Sequence, residues 1–329
     1  MGVLAIIPCL NEARHIEAVV RQMLAEPDIA TLVVADGGST DATRAIVDEM
    51  ATLEPRLHVI ENPHRIQSAG VNLAVRKFAC DHAWILRIDA HCRYPAGYAS
   101  LLLSAAQEHN ADCVVVPMIT SGSSAFQRAV AMAQNSILGT GGSPHRHVAS
   151  GRFVDHGHHA LMKRDLFTHV GGYCEAMACN EDAELDYRIN QAGGRIWLEP
   201  AAAIVYTPRA NVRALWKQYF RYGKGRAQTL RRHRLTPKVR QTLPLLVPVA
   251  GGLFLLGPIH WLFVIPLAIW LVACGVGGIA AARRVAKISS GLQVGLAAAT
   301  MHAAWGCGFL TEWVFGTAHA QPRYGLRQT

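Results

Sequence analysis

Forty consecutive residues, Leu243–Ala282, contain no Asp, Glu, Lys or Arg. Such a run is long enough for two membrane-spanning helices of about 20 residues each, with Gly257, Pro258 and His260 placed for a turn between them. Directly ahead of it, Pro208–Arg240 holds eleven Lys or Arg and no Asp or Glu. The whole chain carries a formal charge of +9, so everything outside that basic stretch sums to −2. A basic run abutting an apolar run reads as the cytoplasmic edge of a membrane, where Lys and Arg collect. A nucleic-acid patch would need the charge but not the apolar neighbour, so no nucleic-acid partner is expected. Arg283, Arg284 and Lys287 return the chain to the positive side. A third apolar stretch, Gly291–Phe315, contains Gln293, His302 and Glu312, and so spans, re-enters or lies in the interface.

The N-terminal part has a different character. Its first apolar run, Val3–Leu10, is interrupted by Pro8 and lacks both a basic lead and a cleavage site, so it does not read as a signal peptide. Three regions are expected: a cytoplasmic domain over 1–205, a basic interface segment over 206–240, and a membrane region over 241–329 with two or three transmembrane helices. Hydrophobic residues make up 51% of the chain, which excludes intrinsic disorder. The eight cysteines include no C-x-x-C pair and read as reduced thiols, not as a disulfide or zinc framework.

Within 1–205, short β-rich runs alternate with helical patterns. Val3–Ile7, Leu32–Ala35, Leu57–Ile60, Trp84–Ile88 and Cys113–Val116 read as strands. Between them, Ala13–Ala25, Asp41–Leu53, Gln67–Cys80 and Ala99–Gln107 carry apolar residues at helical spacing. That alternation predicts an α/β domain with a mostly parallel central sheet. Ligands of such sheets sit at the carboxyl ends of the strands, and three strands here end in polar clusters.

After the first strand comes Pro8-Cys9-Leu10-Asn11-Glu12, and after the second Asp36-Gly37-Gly38-Ser39-Thr40-Asp41. Asp36 sits at a strand mouth, where a carboxylate can accept hydrogen bonds from a base or ribose, and Gly37 and Gly38 let the backbone pass close to a ligand. Asp41 reads better as a helix cap. The fourth strand ends in Asp89-Ala90-His91. On an extended segment, residues two apart point the same way, so one oxygen and one imidazole can share a divalent cation that bridges a nucleotide's diphosphate. Further on, Asn180-Glu181-Asp182 groups two acids behind a capping residue. Ser150–His159, with His156, His158 and His159, has no typical zinc spacing and reads as a solvated loop near donor or acceptor. Gly171-Gly172-Tyr173 reads as a turn beside the acceptor pocket.

Taken in order, these pieces and Gln218-Tyr219-Phe220-Arg221-Tyr222 resemble the family 2 glycosyltransferases, which have the GT-A fold, over roughly residues 1–225. The Asp-Ala-His form and the apolar tail bring the resemblance closest to bacterial exopolysaccharide glucosyltransferases. It implies an inverting transferase at the inner membrane, with its catalytic domain cytoplasmic. Pro8, Asn11, Glu12, Asp36, Gly38 and Ser39 would hold the uridine of a UDP-sugar donor, with Asp89 at its diphosphate. Asp89 and His91 would hold Mn2+ or Mg2+; the histidine replaces the second acid of the commoner Asp-x-Asp motif and lowers the negative charge there. Gly37 replaces the second acid of the commoner Asp-Asp-Gly-Ser. Asp182, beside Glu181, would be the catalytic base. Gln218, Arg221 and Tyr222 match a Gln-x-x-Arg-Trp motif with Tyr for Trp, and would meet the diphosphate or the acceptor, a polyprenyl-linked saccharide.

The residues themselves leave alternatives open. Asn180–Asp182 is also an ordinary helix start. Gln218 and Arg221 stand one helical turn apart and so face the same way. Their helix is also an amphipathic one on membrane lipids, with Trp216, Tyr219 and Phe220 inward and Lys217, Arg221 and Lys224 outward. At the level of function, the alternatives are a synthase that glycosylates bare polyprenyl phosphate and a non-catalytic membrane scaffold.

Overall fold

The computed structural model describes residues 2–141, 150–283 and 288–316; Arg284 and Lys287 of the basic return lie outside them. In chain order the elements are β1 (Val3–Cys9), α1 (Ile16–Leu24), β2 (Ile29–Asp36), α2 (Thr43–Leu53), β3 (Leu57–Glu61), α3 (Gln67–Phe78), β4 (Trp84–Arg87), β5 (Cys92–Arg93), α4 (Tyr98–Glu108), β6 (Cys113–Val116), β7 (Met118–Thr120), α5 (Ala125–Gln134), α6 (Ile137–Thr140), β8 (Arg152–Phe153), β9 (His158–Lys163), α7 (Arg164–His169), α8 (Glu181–Gln191), β10 (Ile196–Leu198), β11 (Ile204–Tyr206), α9 (Val212–Arg232), α10 (Val239–Thr242), α11 (Leu246–Phe254), α12 (Ile265–Ala282) and α13 (Ile288–Phe315). They divide into two units, one built mainly from Met1–Met118 and Val148–Tyr206, the other from Ile119–His147 and Thr207–His319. The middle segment that carries α5 and α6, read from the sequence as part of 1–205, therefore belongs with the C-terminal helices.

The first unit is a sheet of order β3-β2-β1-β4-β9-β6-β10-β8 with helices on both faces. β1 is buried along its whole length. Successive side chains of a strand point to opposite faces, so Val3, Ala5 and Ile7 join the core under α1, α2 and α4. Leu4 and Ile6 join the core under α3, α7 and α8. β1 pairs in parallel with β2 and β4, β2 with β3, and β6 with β10. β9 runs antiparallel to both β4 and β6; the sequence reading contains no strand there. From β1 the chain builds outward through β2 to β3, then crosses back to lay β4 on the other side of β1. The crevice at that reversal, between the carboxyl ends of β1 and β4, is where open α/β sheets bind ligands.

The second unit is helical, and glycines set its tightest contacts. A Cβ built on Gly223 of α9 would lie 2.0 Å from the Trp305 carbonyl oxygen of α13, and one on Gly308 would lie 2.0 Å from that of Phe220. Gly278 of α12 meets the backbone of Gly291 and Gly295 in α13 in the same way. Such small-residue crossings bring helix backbones together where side chains would hold them apart. Gly223→Ala should therefore destabilise the protein by about 1–3 kcal/mol through overpacking, read as a lower melting temperature in detergent. Gly251→Ala is the control, since a Cβ there meets nothing within 4 Å.

The apolar run forms one helical stretch long and apolar enough to cross a membrane, Trp261–Ala282, and a shorter one, Leu243–Phe254. The latter rises only about 18 Å at 1.5 Å per residue, short of a hydrocarbon core of about 30 Å. Pro244 sits in its first turn, Pro248 removes a backbone donor inside it, and it stops ahead of the turn at Gly257-Pro258. Ile269, Val272 and Val276 of α12 face outward, uncovered. The third stretch is one continuous helix, α13, with one side buried against its neighbours in this unit. Its acid Glu312 is 5% exposed and 3.4 Å from Lys224 Nζ.

On α9 the inward face is Leu215, Gln218, Tyr219 and Gly223. Two orientations differ from the amphipathic reading. Trp216 is 39% exposed, because it lies one residue off that stripe, and Lys224 turns to Glu312.

Candidate active site

Two loops are stapled together at the carboxyl ends of β1 and β2. Asn11, in the left-handed region at φ 57°, bonds the second loop twice: its N–H donates to Ser39 Oγ at 2.9 Å, and its Oδ1 accepts from Thr40 N–H at 2.8 Å. Glu12 N–H donates to Thr43 Oγ1 at 2.8 Å. Asp36 is buried and accepts from the N–H groups of Gly38 and Ser39 and from Ser39 Oγ. Gly38 adopts φ 79°, which lets the loop fold over that carboxylate. Asp36 thus organises its own loop, and Pro8 lies buried in β1 beside Ala35. Burial, with Asp36 close by, pushes the Cys9 thiol up to about 12, so it is no nucleophile. Asp41 accepts from Thr43 N–H at 3.0 Å just ahead of α2, whose N-cap position is Ala42 and not, as expected, Asp41.

β4 ends at Arg87, and Asp89–His91 forms a turn where an extended segment was expected. Tyr94 holds that turn: its hydroxyl donates to the Asp89 carbonyl at 2.9 Å and accepts from Asp89 N–H at 2.7 Å. The two-residue repeat of a strand does not apply in a turn, and the side chains bond different groups. His91 Nδ1 lies 3.2 Å from Glu12 Oε1. Asp89 Oδ2 lies 3.3 Å from Nε2 of His158, and its Oδ1 lies 3.5 Å from Arg87 Nη2.

Arg87 is the centre of the site. Its side chain is 4% exposed. Nη1 donates to Asp182 Oδ1 at 2.5 Å and to Tyr173 Oη at 3.2 Å, and Nη2 donates to Gln67 Oε1 at 2.5 Å and reaches Glu181 Oε1 at 3.4 Å. The Tyr173 hydroxyl also donates to Asp182 Oδ1 at 3.0 Å. Tyr173 is aimed there by the turn at Gly171 and Gly172, at φ 86° and 70°. Asn72 then clamps the Tyr173 backbone through both its amide atoms. Glu181 and Asp182 open α8, with Asn180 at the N-cap position in the left-handed region. Asp182 Oδ2 faces His158 Nδ1 at 3.7 Å.

Burial alone would raise the pKa of Asp89; Arg87, with His158 and His91, outweighs it and holds the carboxyl well below the usual range. Glu181 goes the other way: burial and then the charge of Asp182 push it up, against Arg87. A carboxyl with a raised native pKa destabilises the fold once ionised, so wild type loses stability as pH rises from about 4.3 through the raised value. Glu181→Gln keeps an oxygen for Arg87 without that charge. Its melting temperature should exceed wild type's at pH 8, by a margin that shrinks towards pH 4.

The structure thus brings Glu12, Asp89, His91, Glu181 and Asp182 into one unit with Asp36 and its loop. The residues missed by the sequence reading are Arg87 and Gln67; His158 and Tyr173 were expected near donor or acceptor, but only as parts of a loop and a turn. A charge inside the apolar strand Trp84–Arg87, two residues before Asp89, was the available signal for Arg87. His158 is a correction: it opens a strand and is 15% exposed, where a solvated loop was expected. Gln218, Arg221 and Tyr222 belong to the second unit. Gln218 is buried and donates to Tyr222 Oη at 2.9 Å, whereas Arg221 is exposed, so the two do not share a face as expected. Among the described residues no three His, Cys, Asp or Glu side chains form a closed metal cage. Asp89 with an adjacent imidazole still suits a Mg2+-like cation, which takes one or two protein ligands and fills its other positions with phosphate oxygens and water.

A family model for glycosyl transferase family 2 matches residues 4–171. The succinoglycan biosynthesis protein ExoA of Rhizobium meliloti (strain 1021) is 48% identical over 312 residues, 94% of either chain. Among solved structures, the mannosyltransferase PcManGT from Pyrobaculum calidifontis, in complex with GDP-Man and Mn2+, has a TM-score of 0.59 at 18% identity, over 96% of this chain and 87% of that one. That likeness is one of fold, and the α/β sheet is GT-A-like. With the family model covering half the chain and a relative nearly half identical along almost all of it, the chain belongs to glycosyl transferase family 2 and is a glycosyltransferase.

Proposed function

We propose that the chain transfers a hexose, glucose from UDP-glucose, with inversion to a polyprenyl-diphosphate-linked saccharide in exopolysaccharide synthesis at the inner membrane. The observation that carries this reading is the convergence of Asp89, Glu181 and Asp182 on the buried guanidinium of Arg87 at the switch point of the sheet. Arg87 and Tyr173 hold Asp182 Oδ1, which leaves Oδ2 as the oxygen to take a proton. The acceptor hydroxyl attacks the anomeric carbon, the bond from that carbon to the diphosphate oxygen breaks, UDP leaves, and the hydroxyl proton passes to Asp182. The loops at Asn11 and Asp36–Ser39 form the nucleoside end of the donor site, and Asp89 lies at the diphosphate. A divalent cation bound at Asp89, Mn2+ or Mg2+, would offset the charge of the departing diphosphate.

The outward-facing apolar side chains of Trp261–Ala282 and the basic helix α9 support a lipid-borne acceptor. The test is transfer of label from UDP-glucose into the organic-extractable fraction by purified protein in lipid. Label on a polyprenyl-diphosphate monosaccharide, and not on polyprenyl phosphate, is the expected result. Label on polyprenyl phosphate alone would make the chain a lipid-phosphate glucosyltransferase. Failure with UDP-glucose but success with another nucleotide sugar would correct the donor.

A further inference from the structure

We infer that Asn72 of α3 is a positioning residue of the transfer reaction: with Glu175 it fixes the backbone of Tyr173, and through the Tyr173 hydroxyl it holds the carboxylate of Asp182. This rests on Asp182 being the base, as proposed above, and deepens that reading.

Asn72 is fully buried in the interior of a helix, a place where Asn is a poor helix former. Its side chain bonds outside that helix. Nδ2 donates to the Tyr173 carbonyl at 2.8 Å and to Glu175 Oε1 at 2.9 Å, and Oδ1 accepts from Tyr173 N–H at 2.9 Å. A side-chain amide has two N–H donors and one oxygen, so every group is used and the orientation is fixed. The residues one turn to either side on α3 face the same way. Ser68 Oγ donates to the Met177 carbonyl at 3.4 Å, and Arg76 Nη1 lies 3.5 Å from Glu175 Oε1. Positions 68, 72 and 76 thus form a polar stripe along α3 against Tyr173–Met177. That segment has few bonds of its own to hold it: Gly171–Asn180 belongs to none of the helices or strands given above, and it runs directly into Glu181 and Asp182 at the start of α8.

Clamping both the N–H and the C=O of one residue fixes the peptide planes on either side of it, and with them the direction in which its side chain leaves the backbone. The Tyr173 ring, buried edge-on against Phe167, carries that direction to its hydroxyl. The hydroxyl donates to Asp182 Oδ1 at 3.0 Å and accepts from Arg87 Nη1 at 3.2 Å. Burial, and then the charge of Asp182, push the Tyr173 pKa well up, so the hydroxyl stays a donor. Gln67, the first residue of α3, accepts from the other terminal nitrogen of Arg87. One helix therefore positions both groups that grip Asp182 Oδ1. Asn72 acts on Asp182 only through Tyr173, but the effect on rate is large: a general base must stay within hydrogen-bond reach of its proton, and a misplacement of about 1 Å costs up to about 10²-fold.

The experiment is steady-state transfer from UDP-glucose, or from the nucleotide sugar active in its place, by the full-length protein in lipid. Asn72→Ala should lower kcat about 10- to 100-fold, with KM for the donor and UDP affinity within about threefold of wild type. In a Tyr173→Phe background, where the hydroxyl is already gone, the same change should cost less than about threefold. Glu175→Ala, at the less buried end of the same bonds, is the milder variant should Asn72→Ala fail to fold. It should lower kcat at least about threefold, and again not in the Tyr173→Phe background. Hydrogen exchange gives a readout without turnover: the amides of Tyr173–Glu184 should exchange faster in Asn72→Ala, and those of β1 and β2 should not. The inference is overturned by a kcat within about twofold of wild type, by equal losses with and without the Tyr173 hydroxyl, by a loss of UDP affinity as large as that of kcat, or by wild-type exchange over Tyr173–Glu184. Normal transfer by Asp182→Asn, with Asn72→Ala still slow and its loss still dependent on the Tyr173 hydroxyl, would mean that the assignment of the base had failed and the clamp had not.

Discussion

Asp182→Asn is expected to lower sugar transfer by about 10²–10⁴-fold, the range a positioned general base contributes, with UDP affinity within about threefold of wild type. Asparagine keeps the shape of the side chain, and its Oδ1 can still accept from Arg87 and Tyr173, which hold that atom in the native protein. What it cannot do is take a proton. Isothermal titration with UDP and the lipid-extraction assay, run on one preparation, separate the two effects. An equal loss of binding and transfer would assign Asp182 to holding the site together, with no part in proton transfer.

Arg87→Met should have the largest effect on stability. The guanidinium lies among Asp89, Glu181 and Asp182 with almost no exposure. Removing one partner of a buried ion pair costs about 3–5 kcal/mol, because the remaining charges are left uncompensated. Burial and those carboxylates act on Arg87 in opposite directions, and the carboxylates prevail, keeping it charged at every accessible pH. Methionine fills a similar volume, so the loss reports charge more than packing. Adding Asp182→Asn to Arg87→Met should recover part of it, since one stranded carboxylate is then neutral. The check is thermal unfolding of the single and double variants in detergent. Strict additivity would show that Arg87 and Asp182 are not coupled.

The architecture of the first unit was largely legible from local pattern. The periods of strand and helix placed β1–β4, β6 and α1–α4 within a few residues, because which side chains alternate between two buried faces is a property of neighbours along the chain. The polar clusters at strand ends were legible for the same reason: in a parallel sheet the carboxyl ends all lie along one edge. The forty-residue uncharged run determined that part of the chain would be helical and apolar, since backbone in an apolar medium must bond to itself. None of this required knowing which segments meet.

What only the tertiary structure decided was convergence. Arg87 and Asp182 are 95 residues apart in the chain, and no local period reports that one closes on the other. Asp89-Ala90-His91 illustrates the limit: the sequence suggests two side chains on one face of a strand, but the strand stops at Arg87 and the turn sends them to Asp89's partners and to Glu12. β9 is the other case. A short antiparallel strand inserted between two parallel ones has no βαβ signal around it, yet it is this strand that delivers His158 between Asp89 and Asp182. On α9, the periodicity marked an amphipathic helix, and the position of α13 decided that Gln218 is buried while Trp216 and Arg221 are not. Local chemistry determined the elements and the residue types at their ends; the order in which the strands lie side by side determined which of those residues could act together.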